Sequence, residues 1–476
     1  MIKTETGQTT ASSTFLLLAF IILTGLGSFL FVKASLSLSL SLIIITVFIL
    51  VVVSFLSAEA ALYLLIAAML LSPEFIMGEL LGKGTGGRGV TIRFDDIILV
   101  VIGIGWFAKT AIRKELGLFL KTPLNGPIGF YIAVCVVSTL IGFAMDRLNL
   151  KTGLFYVVKY FEFFIVYFMA VNHLRDKEQI KRFVVAMLMV CMVICVIAML
   201  QIPAGGRVTA PFEGETGEPN TLGGYLVLML SITFGLLVTS DSTKQKTLLG
   251  ILVVMIIIPL LATLSRSSWV AMGPMLLTLI YFSKKRLMIV VPLVIIVLIA
   301  PLVMPKAVKD RAMFTVTQRK HMGQVEIGGI RLDTSASARI SSWKNVLTKD
   351  FVKHPVFGYG VTGYAFLDAQ YPKILIETGI LGFIAFLSLL FFIYKNALRA
   401  YRSASDPFFR GISLGYLAGF IAMLVHSIGT NIFVIVRIME PFWFLTAIII
   451  MIPTIEAEGL KTKVDNIAVE QIQKIR

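Results

Sequence analysis

Two arginines stand where a phosphate-bearing substrate could be held: Arg207, in PAGGRVTAPFEGETGEPNTLG (203–223), and Arg266, in LATLSRSSWVA (261–271). Both are expected at helix ends, on the side of a many-helix chain that topology assigns to the non-cytoplasmic face. Short translocated loops normally exclude Lys and Arg, so a pair of arginines there calls for an anion. A guanidinium at the lipid–water boundary forks onto phosphate oxygens. Two or three of them neutralise a diphosphate while its lipid tail stays in the bilayer. Snorkelling to headgroups, or pairing with Glu213, Glu215 or Glu218, accounts equally well for either arginine alone. Lys159 and Glu162 lie at i,i+3 inside the apolar run GLFYVVKYFEFFIVYF. Intramembrane charges are costly, so these two pair with each other or serve a site.

The elements that must position these residues are transmembrane helices. The chain has 476 residues, 57% of them hydrophobic and only 15% charged, with a mean hydropathy of +0.90. Apolar runs long enough for a hydrocarbon core of about 30 Å recur along nearly the whole length. The reading is an all-α polytopic bundle of about 12–14 helices, residues 1–476 forming a single integral domain. Spans are expected near 13–32, 35–55, 58–78, 94–112, 127–145, 153–173, 183–202, 219–239, 247–264, 268–283, 287–304, 374–395, 410–430 and 437–453. The first run leads straight into a second, so it reads as a span and not as a cleavable signal. KASLSLSLSLI (33–43) alternates like a strand, but in lipid an open strand leaves its backbone unpaired, so it too is expected to be helical.

The net charge of +16 is distributed as a membrane and a phosphate-bearing ligand would require, and not as a nucleic-acid surface. Its clusters (Lys109 to Lys121, Arg175 to Arg182, Lys284 to Arg286, Lys395 to Arg410) all fall on one side, which makes that side and the tail 454–476 cytoplasmic. Residues 305–373 form one large extracytoplasmic loop, in which SARISSWKNVLTKDF reads as a short amphipathic helix. Cys135, Cys191 and Cys195 all sit in apolar runs without a His or acidic partner, so neither a disulfide framework nor a metal is expected. LLGKGTGGRGV (80–90) lacks the Walker spacing and reads as an outer loop, with Arg88 and Arg93 able to guide an anion. Asp95 and Asp96 suit a helix N-terminus, and His173 suits a C-terminal end. His354 reads as a turn residue, His321 as part of a basic stretch, and His426 as a polar contact inside the bundle.

PFEGETGEPNTLGGYL, LSRSSWVAM and RISSWKNVLTKDFVKHPVFGYGVTGYAFLDAQYPKILIETGILGF together resemble the O-antigen ligase and polymerase family of membrane glycosyltransferases, over about residues 90–450. The marks are Pro219–Asn220 opening a span, Ser265–Arg266 between spans, the HPxxGxG turn from His354 to Gly360, and Glu377 followed by Gly379 and Gly382. The resemblance implies a fold of the GT-C kind in a bacterial inner membrane. It implies an inverting transfer on the periplasmic face from an undecaprenyl-diphosphate-linked glycan donor, without cofactor, metal or nucleic acid. By analogy Arg207, Arg266 and Lys159 would hold the diphosphate, Arg266 also stabilising the departing charge, and Asn220, Arg339 and Glu377 would support the site. A base must take the acceptor's proton. Many members carry a His–Asn pair about nine residues before the glutamate; here that place holds Asp368 and Ala369. Asp368 can take the base role or position the acceptor. The departure from the ligase pattern favours a polymerase, with transfer to a lipid A core as the alternative. A flippase or transporter of the same lipid-linked glycan is the reading from another class, though no internal two-fold repeat is evident.

Overall fold

Several of the helices begin after a side chain that takes the first free amides. Asn149 accepts from Lys151 N and Thr152 N, Asp176 from Gln179 N and Ser242 from Gln245 N. Ser265 accepts from Ser268 N, Asp333 from Ala336 N, and Asp406 from Phe408 N and Phe409 N. Each cap satisfies donors that a helix start otherwise leaves orphaned.

A computed structural model describes residues 57–72, 74–76, 91–93, 96–104, 120–212, 217–303, 305–318, 324–327 and 330–475. Its helices are α1 (Ala58–Leu71), α2 (96–104), α3 (Asn125–Ala144), α4 (Leu150–His173), α5 (Lys177–Gln201), α6 (Pro219–Thr239) and α7 (Thr243–Ala262). They continue with α8 (Arg266–Phe282), α9 (Leu287–Val303), α10 (Lys306–Thr317), α11 (Thr334–Asn345), α12 (Gln370–Ser403), α13 (Pro407–His426) and α14 (Val436–Ile475). Two short antiparallel ribbons accompany them, β1 (Glu74–Ile76) with β2 (Thr91–Arg93) and β3 (Glu326–Ile327) with β4 (Ile330–Arg331). The architecture is therefore the expected all-α polytopic bundle. Among the described residues, eight helices are long and apolar enough to cross a membrane. The spans expected at 13–32 and 35–55, and the alternating Ser–Leu run, lie outside the described residues. The run read as a span over 58–78 contains a helix of 14 residues, and those read over 268–283 and 287–304 give helices of 17. Residues 454–475 of the tail continue α14.

α6 sits at the centre, every residue from Thr221 to Ile232 being buried. α13 reaches it along a seam of small residues. A Cβ on Gly235 would lie 2.2 Å from Gly411 O, one on Gly415 2.6 Å from Ser231 O, and one on Gly419 2.3 Å from Ser231 Oγ. Gly411, Gly415 and Gly419 thus repeat every fourth residue along the contact, the spacing that lets two membrane helices approach by backbone.

Arg437, at the start of α14, is 1% exposed. It donates to the carbonyls of Leu70 (3.0 Å), Pro211 (2.8 Å), Ser72 (3.2 Å) and Phe212 (3.4 Å). One guanidinium therefore ties the end of α1 and the loop before α6 to α14. Arg437→Met fills the volume but leaves those carbonyls without the donor. The expected cost is on the order of 3–5 kcal/mol, read as a lowered melting temperature of the detergent-solubilised protein. An unchanged melt would show that these carbonyls find other donors.

Candidate functional site

The site is assembled at the end of the bundle where α7 stops and α8 begins. Leu264 has φ 51°, and this left-handed residue reverses the chain over one turn. The carbonyls left free at the end of α7 are taken by arginines: Arg207 Nε donates to Thr263 O (3.0 Å) and Arg311 Nε to Leu264 O (3.3 Å). The loop carrying Arg207 is fastened to the same turn by Val208 N on Ala262 O at 3.2 Å. Among the described residues no acceptor holds the terminal amino groups of Arg207 or Arg311. Two further guanidiniums complete the cluster. Arg266, first residue of α8, bonds Asp333 at 2.6 Å, and Arg339 of α11 bonds Asp368 at 2.8 Å and Ser335 Oγ at 2.9 Å.

The four guanidiniums repel one another. Partial desolvation, then the charge of Arg311, holds Arg207 below its usual range, with Arg266 and Arg339 adding to the effect and Glu218 opposing it. Arg311 is depressed in the same way, by desolvation and by Arg266 and Arg339, against Asp333. Burial pushes the Asp333 carboxyl up, but the hydrogen bond and charge of Arg266 outweigh it and leave the group below the usual carboxylate range. A cluster of this kind favours occupation by an anion.

A polar chain beneath the cluster sets the start of α8. Ser265 Oγ donates to Asn220 Oδ1 (2.7 Å), Ser268 Oγ donates to Ser265 Oγ (2.8 Å), and His426 Nε2 lies 3.1 Å from Ser268 Oγ. His426 is 2% exposed. With the single Ser268 proton directed at Ser265, His426 meets it as an Nε2–H donor. The sequence reading of His426 as a contact inside the bundle is what the structure shows, and Asn220 belongs to the same chain.

The HPxxGxG turn has a structural task. α12 is broken at Gly379 (φ 67°, ψ −168°), and the turn supplies the hydrogen bonds that the break removes. Tyr359 N donates to Ile376 O (3.0 Å), Gly360 N to Glu377 O (2.8 Å), Ile380 N to Pro355 O (2.8 Å) and Leu381 N to Val356 O (3.4 Å). Ser138 of α3 donates to Glu377 O at 2.8 Å and also engages Phe357 O. The Glu377 carboxylate, 3% exposed, accepts from Thr362 N at 3.2 Å and from the ammonium of Lys373. His354 packs edge-on against Tyr359, ring centroids 4.7 Å apart, in keeping with a turn residue. Desolvation, then the charges of Arg147 and Lys353, lowers its pKa.

Of the residues singled out in the sequence, Arg207, Arg266, Arg339, Asp368 and Asn220 are drawn into this one region, with Glu377 a few turns behind Asp368. The ammonium of Lys159 is held by Asp96 and, at 3.2 Å, by Glu162, an ion group joining α2 and α4. The cost of a buried ammonium selects the nearest carboxylates. Asp96 also accepts from Arg93 N at 2.8 Å, as its place at the start of α2 implied. Arg93 is buried and donates to Met69 O at 2.9 Å, so it does not serve as a guide for a soluble anion; Arg88 lies outside the described residues. Arg311 and Asp333 join the cluster without a distinguishing mark in the sequence, Arg311 being one of several basic residues between Lys306 and Lys320.

Residues 250–387 match the family described as O-antigen ligase. This segment carries Arg266, Arg311, Asp333, Arg339, Asp368 and Glu377, and it bears out the resemblance seen in the motifs. No curated protein matches the chain. The match and the apolar helices together support a multi-pass membrane enzyme that handles glycans.

Proposed function

We propose that the protein is a glycosyltransferase that transfers or polymerises a glycan from an undecaprenyl-diphosphate donor at the outer face of the membrane. The observation that carries this reading is the cluster of Arg207, Arg266, Arg311 and Arg339, in which Arg266 is bonded to Asp333 and Arg339 to Asp368. Arg207 and Arg311 are anchored through Nε, which leaves their amino groups to fork onto phosphate oxygens. In the reaction the acceptor hydroxyl oxygen bonds to the anomeric carbon and the bond from that carbon to the diphosphate oxygen breaks. The arginines take up the charge that develops on the departing diphosphate. The hydroxyl proton passes to the Asp368 carboxylate, which Arg339 holds in place. Inversion at the anomeric carbon follows from a single displacement. Asp368 in place of the expected histidine favours extension of a lipid-linked chain over transfer to a lipid A core.

Reconstitution in vesicles with a purified lipid-linked repeat unit tests the proposal. A ladder of repeats is expected. A change in the sidedness of the lipid without new product would replace the enzyme by a flippase. Asp368→Asn is expected to lower the rate by about 100-fold or more, with donor binding retained, as befits loss of a general base. A near-normal rate would remove Asp368 from that role.

A further inference from the structure

At the opposite end of the bundle the elements that carry the arginine cluster close around a second polar cleft. α8 has 17 residues and rises about 1.5 Å per residue, which places its last turn about 25 Å from Arg266. There the ends of α6, α8 and α12 and the start of α13 enclose a cavity of about 200 Å³. Its polar walls are Thr239, Asp241, Ser283, Lys284, Lys285 and Arg410, and its apolar walls include Val238, Leu414, Pro407 and the ring of Tyr401. Three cations face one carboxylate, a local charge of +2.

The protein itself uses little of this charge. Lys285 Nζ is 3.4 Å from Asp241 Oδ1, and both side chains are largely solvent-exposed. Such a pair contributes little and yields readily. Lys284 makes no hydrogen bond or ion pair among the described residues. Arg410 is fixed through Nε and Nη2 to Ala404 O, at 3.2 and 2.8 Å, and Tyr401 is fixed by its hydroxyl on Phe282 O. The frame of the cleft is therefore rigid, while its ammonium groups remain available.

We infer that this cleft binds the phosphodiester headgroup of an anionic phospholipid, its glycerol and first methylenes resting on Tyr401 and Pro407. Two features point to a lipid over a soluble anion. Four of the ten lining residues are apolar, and the surface beside the cleft is apolar and outward-facing, with Leu277, Tyr281 and Leu287 between 68% and 75% exposed. Basic clefts between membrane helices at the basic end of a bundle suit such headgroups. The site is separate from the arginine cluster and does not depend on its function.

The test uses the full-length protein, delipidated in detergent, with native mass spectrometry and thermal melting as readouts. Dioleoylphosphatidylglycerol is expected to bind and to raise the melting temperature where dioleoylphosphatidylcholine does not. The double variant Lys284→Ala/Lys285→Ala is expected to bind phosphatidylglycerol about 30-fold more weakly, from about 1 kcal/mol per lysine. Both lysines lie at the surface, so the variant should fold; an unliganded melt matching that of the native chain verifies this. Equal effects of the two lipids, or undiminished binding by the variant, would overturn the inference. So would inorganic phosphate at millimolar concentration reproducing the stabilisation, since the ligand would then be a free anion.

Discussion

Arg266→Ala is expected to lower glycan transfer by about 100- to 1,000-fold while the protein still reaches the membrane, the range found when one charge-stabilising donor is removed from a reacting centre. The size follows from position. Arg266 opens α8, its backbone set by the Ser265 cap and the chain through Ser268 to His426, so its guanidinium is delivered to the cluster by a rigid element. Its removal leaves Asp333 buried with the Ala336 amide and the charge of Arg311 for compensation. Some loss of stability is therefore built into the variant. Arg266→Lys separates the two effects, because it keeps the charge opposite Asp333 and loses the planar fork. It should restore the melting temperature and recover only part of the rate. Arg207→Ala, which breaks no ion pair in the described structure, should lose transfer with little change in melt. Near-normal product from both alanine variants would sink the diphosphate reading. Since the cations repel one another, inorganic pyrophosphate should raise the melting temperature of the native protein more than that of either variant.

The helices were legible because the apolar runs are long and several begin after a capping residue, as at Asn149, Asp176 and Asp406. The arginine site was half legible. Arg207 and Arg266 announce themselves as charges at helix ends on the disfavoured side, a signal carried by single residues and their topology. Arg311 carries no such mark, since it sits among Lys306, Lys309 and Arg319 in a basic stretch, and only the fold over the Leu264 carbonyl distinguishes it. The partners of Lys159 could not be read for the same reason. Glu162 was visible at i,i+3, but Asp96 lies 63 residues away and meets Lys159 only through the packing of α2 on α4. Arg437 shows the limit most clearly. In sequence it is one arginine at the edge of an apolar run, equally suited to a headgroup; in the structure its partners come from two segments more than 200 residues away.

Gly379→Ala is expected to prevent accumulation of folded protein, with a cost on the order of 5 kcal/mol from backbone strain and lost hydrogen bonds together. A φ of 67° with ψ −168° belongs to a region that side chains other than hydrogen rarely enter. The space is closed as well. A Cβ at this position would lie 2.2 Å from Val356 O, 2.4 Å from Val356 C and 2.6 Å from Phe357 N. All three are backbone atoms of the turn that repairs the break in α12, so the methyl cannot be accommodated by rotating a side chain. Either the turn withdraws, exposing the carbonyls of Ile376 and Glu377 and the amides of Ile380 and Leu381, or the break closes and the turn loses its seat. Gly358, with φ 68° and a Cβ position 2.5 Å from Ile376 O, locks the same contact from the other side. Gly250→Ala in α7 is the control, because nothing lies within 4 Å of its Cβ position and a helical alanine there should be neutral or slightly stabilising. Membrane abundance and melting temperature of the two variants decide the matter: if Gly379→Ala accumulates and melts like Gly250→Ala, the turn is not what holds α12 open. The consequence for chemistry follows from chain order. Asp368 and Glu377 both precede the break, so the turn that holds Gly379 also fixes where the segment bearing them stands against Arg339, and a weaker variant such as Ser138→Ala should disturb transfer before it disturbs folding.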